Sequence, residues 1–306
     1  MIALARRANG WMSSRPYLLL TLTCLMWGGN AVSSRLAVGE ISPFMLTSLR
    51  WVLVCSLMPL FVGRDLVRHR AVLLQHWKLI ALMGCIGFTA FNTLMYVAAH
   101  QTTAINIGIV QGSIPIMVIL GALLIYGTRA SAIQWVGVAV TIAGVIFVAA
   151  RGDVNALATL SFNNGDILMV IGCIFYSGYT VLLRERPTGV PALVFFTAVA
   201  FCACLMSFPF VAWEVATGAA AMPTWKGFLI VGFVAFFPSL LAQLSFMRGV
   251  ELIGAARAGV FVNLVPIFAP LLAVIILSEP FRWYHAAGLV LVLGGIALAE
   301  AGKRHA

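Results

Sequence analysis

Two short stretches hold chemistry that packing alone explains poorly. IVQGSIPI runs from Ile109 to Ile116, and FVNLVPIF from Phe261 to Phe268. Each sets a proline three or four residues after an amide side chain, midway along an oily segment. Pro115 cannot donate to the carbonyl of Gln111, nor Pro266 to that of Val262, and each ring pushes on the preceding turn. The expectation is an open carbonyl at each break, beside Gln111 or Asn263. These groups can bond one another, or the ammonium–carboxylate end of a small solute. The bends at Pro115 and Pro266 can serve as hinges. A plain kink is the simpler alternative, because proline is common in membrane helices.

Other polar residues fall at helical spacing, where residues three or four apart share a face. Thr23, Trp27, Asn30 and Ser34 form one face, and Thr89, Asn92, Tyr96 and His100 a second. Ser239 and Gln243, continued by Phe236 and Phe246, form a third, and Tyr176 and Tyr179 mark a fourth. Such faces should turn away from lipid. They can tie helices together at about 0.6 kcal/mol per hydrogen bond, or they can line a cavity. Several end in rings too bulky for close helix contact, which favours the cavity. Asn30, Asn92, Gln111, Gln243 and Asn263 would then meet a polar group. Trp27, Tyr96, Tyr176 and Tyr179 would offer ring faces to an apolar side chain. Two charges also fall inside oily segments. Charge there is costly and points to function. Arg50 can hold backbone carbonyls, lean to the outer rim or gate a path; Arg257 can attract a carboxylate or snorkel to the inner interface.

These residues need elements to position them, and composition says which. The chain has 306 residues, 62% hydrophobic and 9% charged, with a mean hydropathy of +1.04. A soluble domain carries about 25% charge, so this is an integral membrane protein. Apolar runs of about 20 residues span a bilayer as helices. Ten such runs are expected: 16–38, 42–63, 77–99, 102–126, 131–150, 165–184, 191–213, 225–247, 254–277 and 282–301. No soluble domain fits between them. The net charge of +10 is a topology signal rather than a nucleic-acid footprint. With the N-terminus inside, inner flanks hold 13 Lys and Arg and outer flanks 4, as cytoplasmic flanks do. Both termini are therefore expected in the cytoplasm. The first hydrophobic run is longer than a signal-peptide core. All six cysteines lie within spans without a metal-type CxxC pair, so packing is their default role.

The sequence also repeats. Shifted by 151, residues 104–144 overlay 255–295, pairing Gly108 with Gly259, Pro115 with Pro266, Gly137 with Gly288 and Gly144 with Gly295. A shift of 149 lays MWGGNAVSSR (26–35) on FYSGYTVLLR (175–184). The halves 1–150 and 151–306 then hold five spans each. An odd number makes the second half enter the membrane from the opposite side, and inverted repeats support inward- and outward-open states around a midplane site. Gly108 and Gly112, four apart, fit close helix packing.

CLMWGGNAVSSRLAV, PFMLTSLRW and GAARAGVFVNLVPIFAPLLAVIILSEP resemble the EamA-like branch of the drug/metabolite transporter superfamily. The resemblance covers nearly the whole chain. It implies a ten-helix bundle whose cavity is lined by spans 1, 3, 4, 6, 8 and 9, with spans 5 and 10 peripheral. It also implies export, and is similar to the aromatic amino-acid exporters of the bacterial inner membrane. The family's Glu after each repeat-final hairpin helix is matched by Glu279, but Thr128 stands at the other place.

The expected activity is export of amino acids, aromatic or large and apolar, by a monomer with no cofactor. With no carboxylate buried mid-span, proton-coupled export of cationic drugs ranks second, although His100 could titrate near neutral pH. An intramembrane enzyme ranks last, because no HExxH, GxSxG or paired-acid motif is present.

Overall fold

The computed structural model describes residues 15–127, 130–153 and 163–302. Thr128 therefore lies outside the described residues, and the comparison of its place with that of Glu279 goes no further. Every regular element among the described residues is helical. Prolines open the early helices, where a missing N–H costs nothing: α1 (Pro16–Leu36), α2 (Pro43–Leu57) and α3 (Pro59–Arg68). The short α4 (Arg70–Gln75) leads to α5 (Trp77–Ala98). Next come α6 (Ala104–Gln111), α7 (Ile114–Tyr126), α8 (Ala132–Ala149), α9 (Asn164–Leu182) and α10 (Ala192–Ala216). α11 (Trp225–Ile253), α12 (Ala255–Phe261), α13 (Val265–Leu277) and α14 (Trp283–Gly302) complete the chain.

Eight helical segments among the described residues are long and apolar enough to cross a membrane, or nine if α2 and α3 count as one bent span. α1 has the length, at 21 residues, but Trp27, the glycine pair and Asn30 dilute its apolarity. The run 42–63, expected as one straight span, bends by 73° between α2 and α3, because Pro59 cannot continue the ladder to Cys55. Beyond the bend, Leu60, Phe61 and Val67 stay exposed on a helix that also carries Arg64 and Arg68. That amphipathic pattern suits a helix lying in the interface plane.

Two carboxylates fix helix starts. Glu214, at the end of α10, accepts from the Ser42 hydroxyl at 2.6 Å and the Met45 N–H at 3.2 Å, at the N-terminus of α2. Glu279 accepts from the N–H groups of Ala104 and Ile105 at 2.9 and 3.0 Å, opening α6. Both meet the positive end of a helix dipole. The turn from α11 into α12 uses Gly254 at φ +84°, a backbone region that only glycine enters freely.

α1 packs on α11 and α13, α9 on α5 and α7, α2 on α10, and α6 on α13. α8 and α14 form the most intimate pair, and they run antiparallel: a Cβ at Gly137 would lie 2.5 Å from the Gly295 carbonyl oxygen, and one at Gly144 would lie 3.1 Å from that of Gly288. Backbones this close need glycine on both sides. Gly295→Ala should lower stability by about 1–3 kcal/mol through overpacking. Gly294→Ala, facing open space, should not. Thermal unfolding of the two variants in detergent checks the contrast.

Candidate functional site

The expected breaks occur in both halves. α6 ends at Gln111, a turn at Gly112 and Ser113 follows, and Pro115 sits in the first turn of α7. α12 ends at Phe261, a single 3-10 turn covers Val262–Leu264, and Pro266 sits in the first turn of α13. One detail departs from expectation. The Val262 carbonyl is not open, because the tighter 3-10 turn brings the Val265 N–H onto it. Asn263 is also engaged: its amide donates to Glu300 on α14 at 3.1 Å.

A second pair of irregularities was not legible from spacing. Gly84–Ala90 in α5 and Ala235–Leu241 in α11 are π-helical. A wider turn resets which residues face which way, so 3.6-residue periodicity fails across it. Phe236 therefore points outward, 46% exposed, instead of continuing the face of Ser239. Thr89 donates to the Ala203 carbonyl of α10 at 2.9 Å rather than joining Asn92 and Tyr96. π-Segments inside helices frequently mark functional sites. The signals in the sequence were Gly84, Gly87 and Pro238, all poor helix formers.

Between these four irregular places lies a cavity. Of the residues expected to bind, Trp27, Asn30, Asn92, Gln111, Tyr176, Gln243 and Asn263 line it, as do Pro115, Pro266 and Arg50. Tyr96 and Tyr179 do not. Tyr96 is 1% exposed and supports Arg50 from behind. Tyr179 packs against Phe88 and Tyr176 and closes over Gly87, where a Cβ would lie 2.6 Å from its own Cβ. Trp51, Phe88, Phe91 and Phe196 supply further apolar wall. α2 and α10 thus reach the cavity through Arg50, Trp51 and Phe196, beyond the six spans the resemblance implies.

Arg50 is the centre of the polar wall. Its Nε donates to the Ser239 hydroxyl at 2.6 Å. Its Nη1 donates to Asn92 Oδ1 at 2.6 Å, to the Tyr96 hydroxyl oxygen at 2.7 Å and to Asn30 Oδ1 at 3.3 Å. Neither backbone carbonyls nor the outer rim hold it, contrary to the sequence expectation. Its guanidinium carbon stands 5.2 Å from the Trp51 ring centre, a cation–π distance. Ser239 passes its own proton to the Val234 carbonyl at 2.6 Å, and Asn92 donates to that of Phe88 at 2.6 Å. Both carbonyls lie at or beside the π-segments, where the helical ladder is disturbed. The irregular backbone thereby orients the oxygens that hold Arg50.

Trp27 donates from its indole nitrogen to the Pro238 carbonyl at 3.1 Å, and its ring tilts against Phe246. Gln111 and Asn30 both donate to the Met95 sulfur, at 3.9 and 3.8 Å; thioethers are weak acceptors. Arg257 is exposed on α12 and is not part of the cavity. His100 is exposed beyond α5; partial burial, with help from the Arg35 charge, lowers its pKa, so it is neutral at pH 7. No group of three or more metal-ligating side chains occurs among the described residues.

Residues 14–150 and again 163–300 match the model of the EamA-like transporter family. The chain belongs to that family. The transporter is 23% identical over 287 residues to the uncharacterized transporter YyaM of Bacillus subtilis, covering 93% of each chain. It is 24% identical to an uncharacterized transporter of Archaeoglobus fulgidus, over 96% of this chain and 100% of that one. The uncharacterized inner membrane transporter YedA of Escherichia coli K12 is 25% identical, over 91% and 88%. A crystal structure shares the fold, with a TM-score of 0.62 at 20% identity, over 94% of this chain and 98% of that chain. The protein is thus a multi-pass membrane transporter and not an enzyme.

Ser239→Ala removes an acceptor from Arg50 and leaves the Val234 carbonyl without its hydroxyl donor. The expected cost is about 1–3 kcal/mol, read as a lower unfolding midpoint in detergent, with Ser56→Ala on the exposed side of α2 as the neutral comparison.

Proposed function

We propose that the transporter exports small metabolites, foremost amino acids with aromatic or large apolar side chains, by alternating access of two inverted five-span halves, 1–150 and 151–306. The observation that carries this reading is the cavity itself. It lies between two matching broken helices, and Arg50 and several amides share its wall with tryptophan, tyrosine and phenylalanine rings. A solute with a charged head and a ring-bearing tail fits such a lining.

Inversion is supported by the α8–α14 seam. The repeat equates Gly137 with Gly288 and Gly144 with Gly295. In space Gly137 meets Gly295, and Gly144 meets Gly288. A two-fold axis lying across the helices makes this exchange, in which equivalent helices run antiparallel. Same-sense repeats would leave them parallel. The other contacts exchange likewise: α1 on α13 corresponds to α9 on α7. In this reading all ten expected runs cross the bilayer, α1 included, with both termini in the cytoplasm of a bacterial cell and the protein in its inner membrane. A path enclosed by one chain needs no second copy, so the functional unit is a monomer. Arg50 in the cavity repels cations, which sets export of cationic drugs aside. Export is the direction implied by the family resemblance.

Gln111 and Asn263 contact the polar end of the solute. In proteoliposomes, labelled phenylalanine and leucine should enter down their gradients without a pH difference. Gln111→Ala and Asn263→Ala should each cut the initial rate at least fivefold, Gln111→Ala with an unchanged unfolding midpoint and Asn263→Ala, which also frees Glu300, with a lower one. Wild-type rates in both variants, or uptake of quaternary cations alone under a pH gradient, would refute the reading.

A further inference from the structure

We infer that Arg50 is the recognition site for a carboxylate, and that the substrates are aromatic or large apolar monocarboxylates whose amino group is dispensable. The inference deepens the proposed function and rests on its central cavity. Nε and Nη1 of Arg50 are satisfied by neutral oxygens of Ser239, Asn92, Tyr96 and Asn30. Nη2 makes no bond to any described residue, and Arg50 is part of the cavity wall. The two N–H groups of Nη2 are the donors left over, and each can make a charge-assisted bond to a carboxylate oxygen.

What the cation lacks is equally informative. The sequence has nine Asp and Glu, every one within the described residues, and none lines the cavity or bonds Arg50. The buried ones, Glu214 and Asp166, are committed elsewhere: Glu214 caps a helix, as does the half-buried Glu279, and Asp166 accepts from Thr102 and Asn106. Glu300 touches one lining residue, Asn263, and already holds that amide. Neutral hydrogen bonds hold a buried cation in place but do not neutralise it. The missing negative charge is the solute's to bring. No acid stands in the cavity wall to demand an ammonium partner, so an acid without an amine should bind as well as the amino acid. The apolar end would lie along Trp51, Phe88, Phe91 and Tyr176.

Three analogues separate the groups: phenylalanine, 3-phenylpropanoate and phenethylamine. Their uptake into proteoliposomes is measured with wild type, Arg50→Gln, Arg50→Lys and Asn92→Asp. Asn92→Asp leaves Arg50 in place and sets a carboxylate where Oδ1 now lies, 2.6 Å from Nη1, so it supplies the counter-ion internally. The expected result is uptake of both acids within threefold of each other and at least tenfold less of the amine. Arg50→Gln and Asn92→Asp should each lose at least tenfold for both acids, and Arg50→Lys less. The wild-type comparison stands even if a variant fails to fold. Amine uptake equal to acid uptake, or full acid uptake in Asn92→Asp, overturns the inference. Uptake of phenylalanine without 3-phenylpropanoate also overturns it and leaves amino-acid export intact. Uptake of 3-phenylpropanoate without phenylalanine upholds it and defeats the amino-acid reading. Failure of all three solutes overturns both.

Discussion

A single guanidinium organises the centre of this transporter. An arginine at the middle of a membrane helix costs about 2.5–3.5 kcal/mol on insertion scales. Arg50 is 5% exposed, so that cost has to be offset locally. The offset is built from α1, α5 and α11: Asn30, Asn92, Tyr96 and Ser239 all turn oxygens toward it. Because these partners come from both halves of the chain, the charge also ties the halves together. The same arrangement leaves Nη2 of the cation uncommitted beside a cavity.

The irregular helices follow from that demand. In a regular membrane helix each inner carbonyl is held by the N–H four residues on, and a π-segment shifts that ladder. Two side chains that hold Arg50 are anchored on carbonyls at or beside such segments: Ser239 on Val234 and Asn92 on Phe88. The breaks before Pro115 and Pro266 place Gln111 and Asn263 at the same cavity. Four departures from helical regularity therefore converge on one space, where irregular backbone is sheltered from lipid.

Much of this was legible in the sequence, for physical reasons that can be named. Proline acts locally, so the breaks near Gln111 and Val262 could be located from two residues each. The matched glycines marked the repeat, but their meeting across the α8–α14 seam was not read, because identity along the chain does not say which copies touch. Trp27, Asn30 and Asn92 were found by helical spacing, which holds within a regular stretch. The method failed where the period changed: the π-segments turned Thr89 and Phe236 away from the faces assigned to them. Tyr96 and Tyr179 were placed on the correct side but behind the wall, since spacing gives direction and not depth. Arg50 was recognised as costly, but its partners are 20 to 189 residues away along the chain, and no local pattern reports them. The bend at Pro59 was missed although proline marks it, because the residues on either side of it, Leu57–Val62, are all apolar and continue the span.

The most direct test is structural. Crystals of the transporter grown with 3-(4-bromophenyl)propanoate would show where each end of the solute rests. The account predicts the carboxylate against Nη2 of Arg50 and the bromine's anomalous peak at the far end of the solute, beside Phe91 and Tyr176. A bromine peak beside Arg50, or a carboxylate held elsewhere in the cavity with Arg50 untouched, would contradict it.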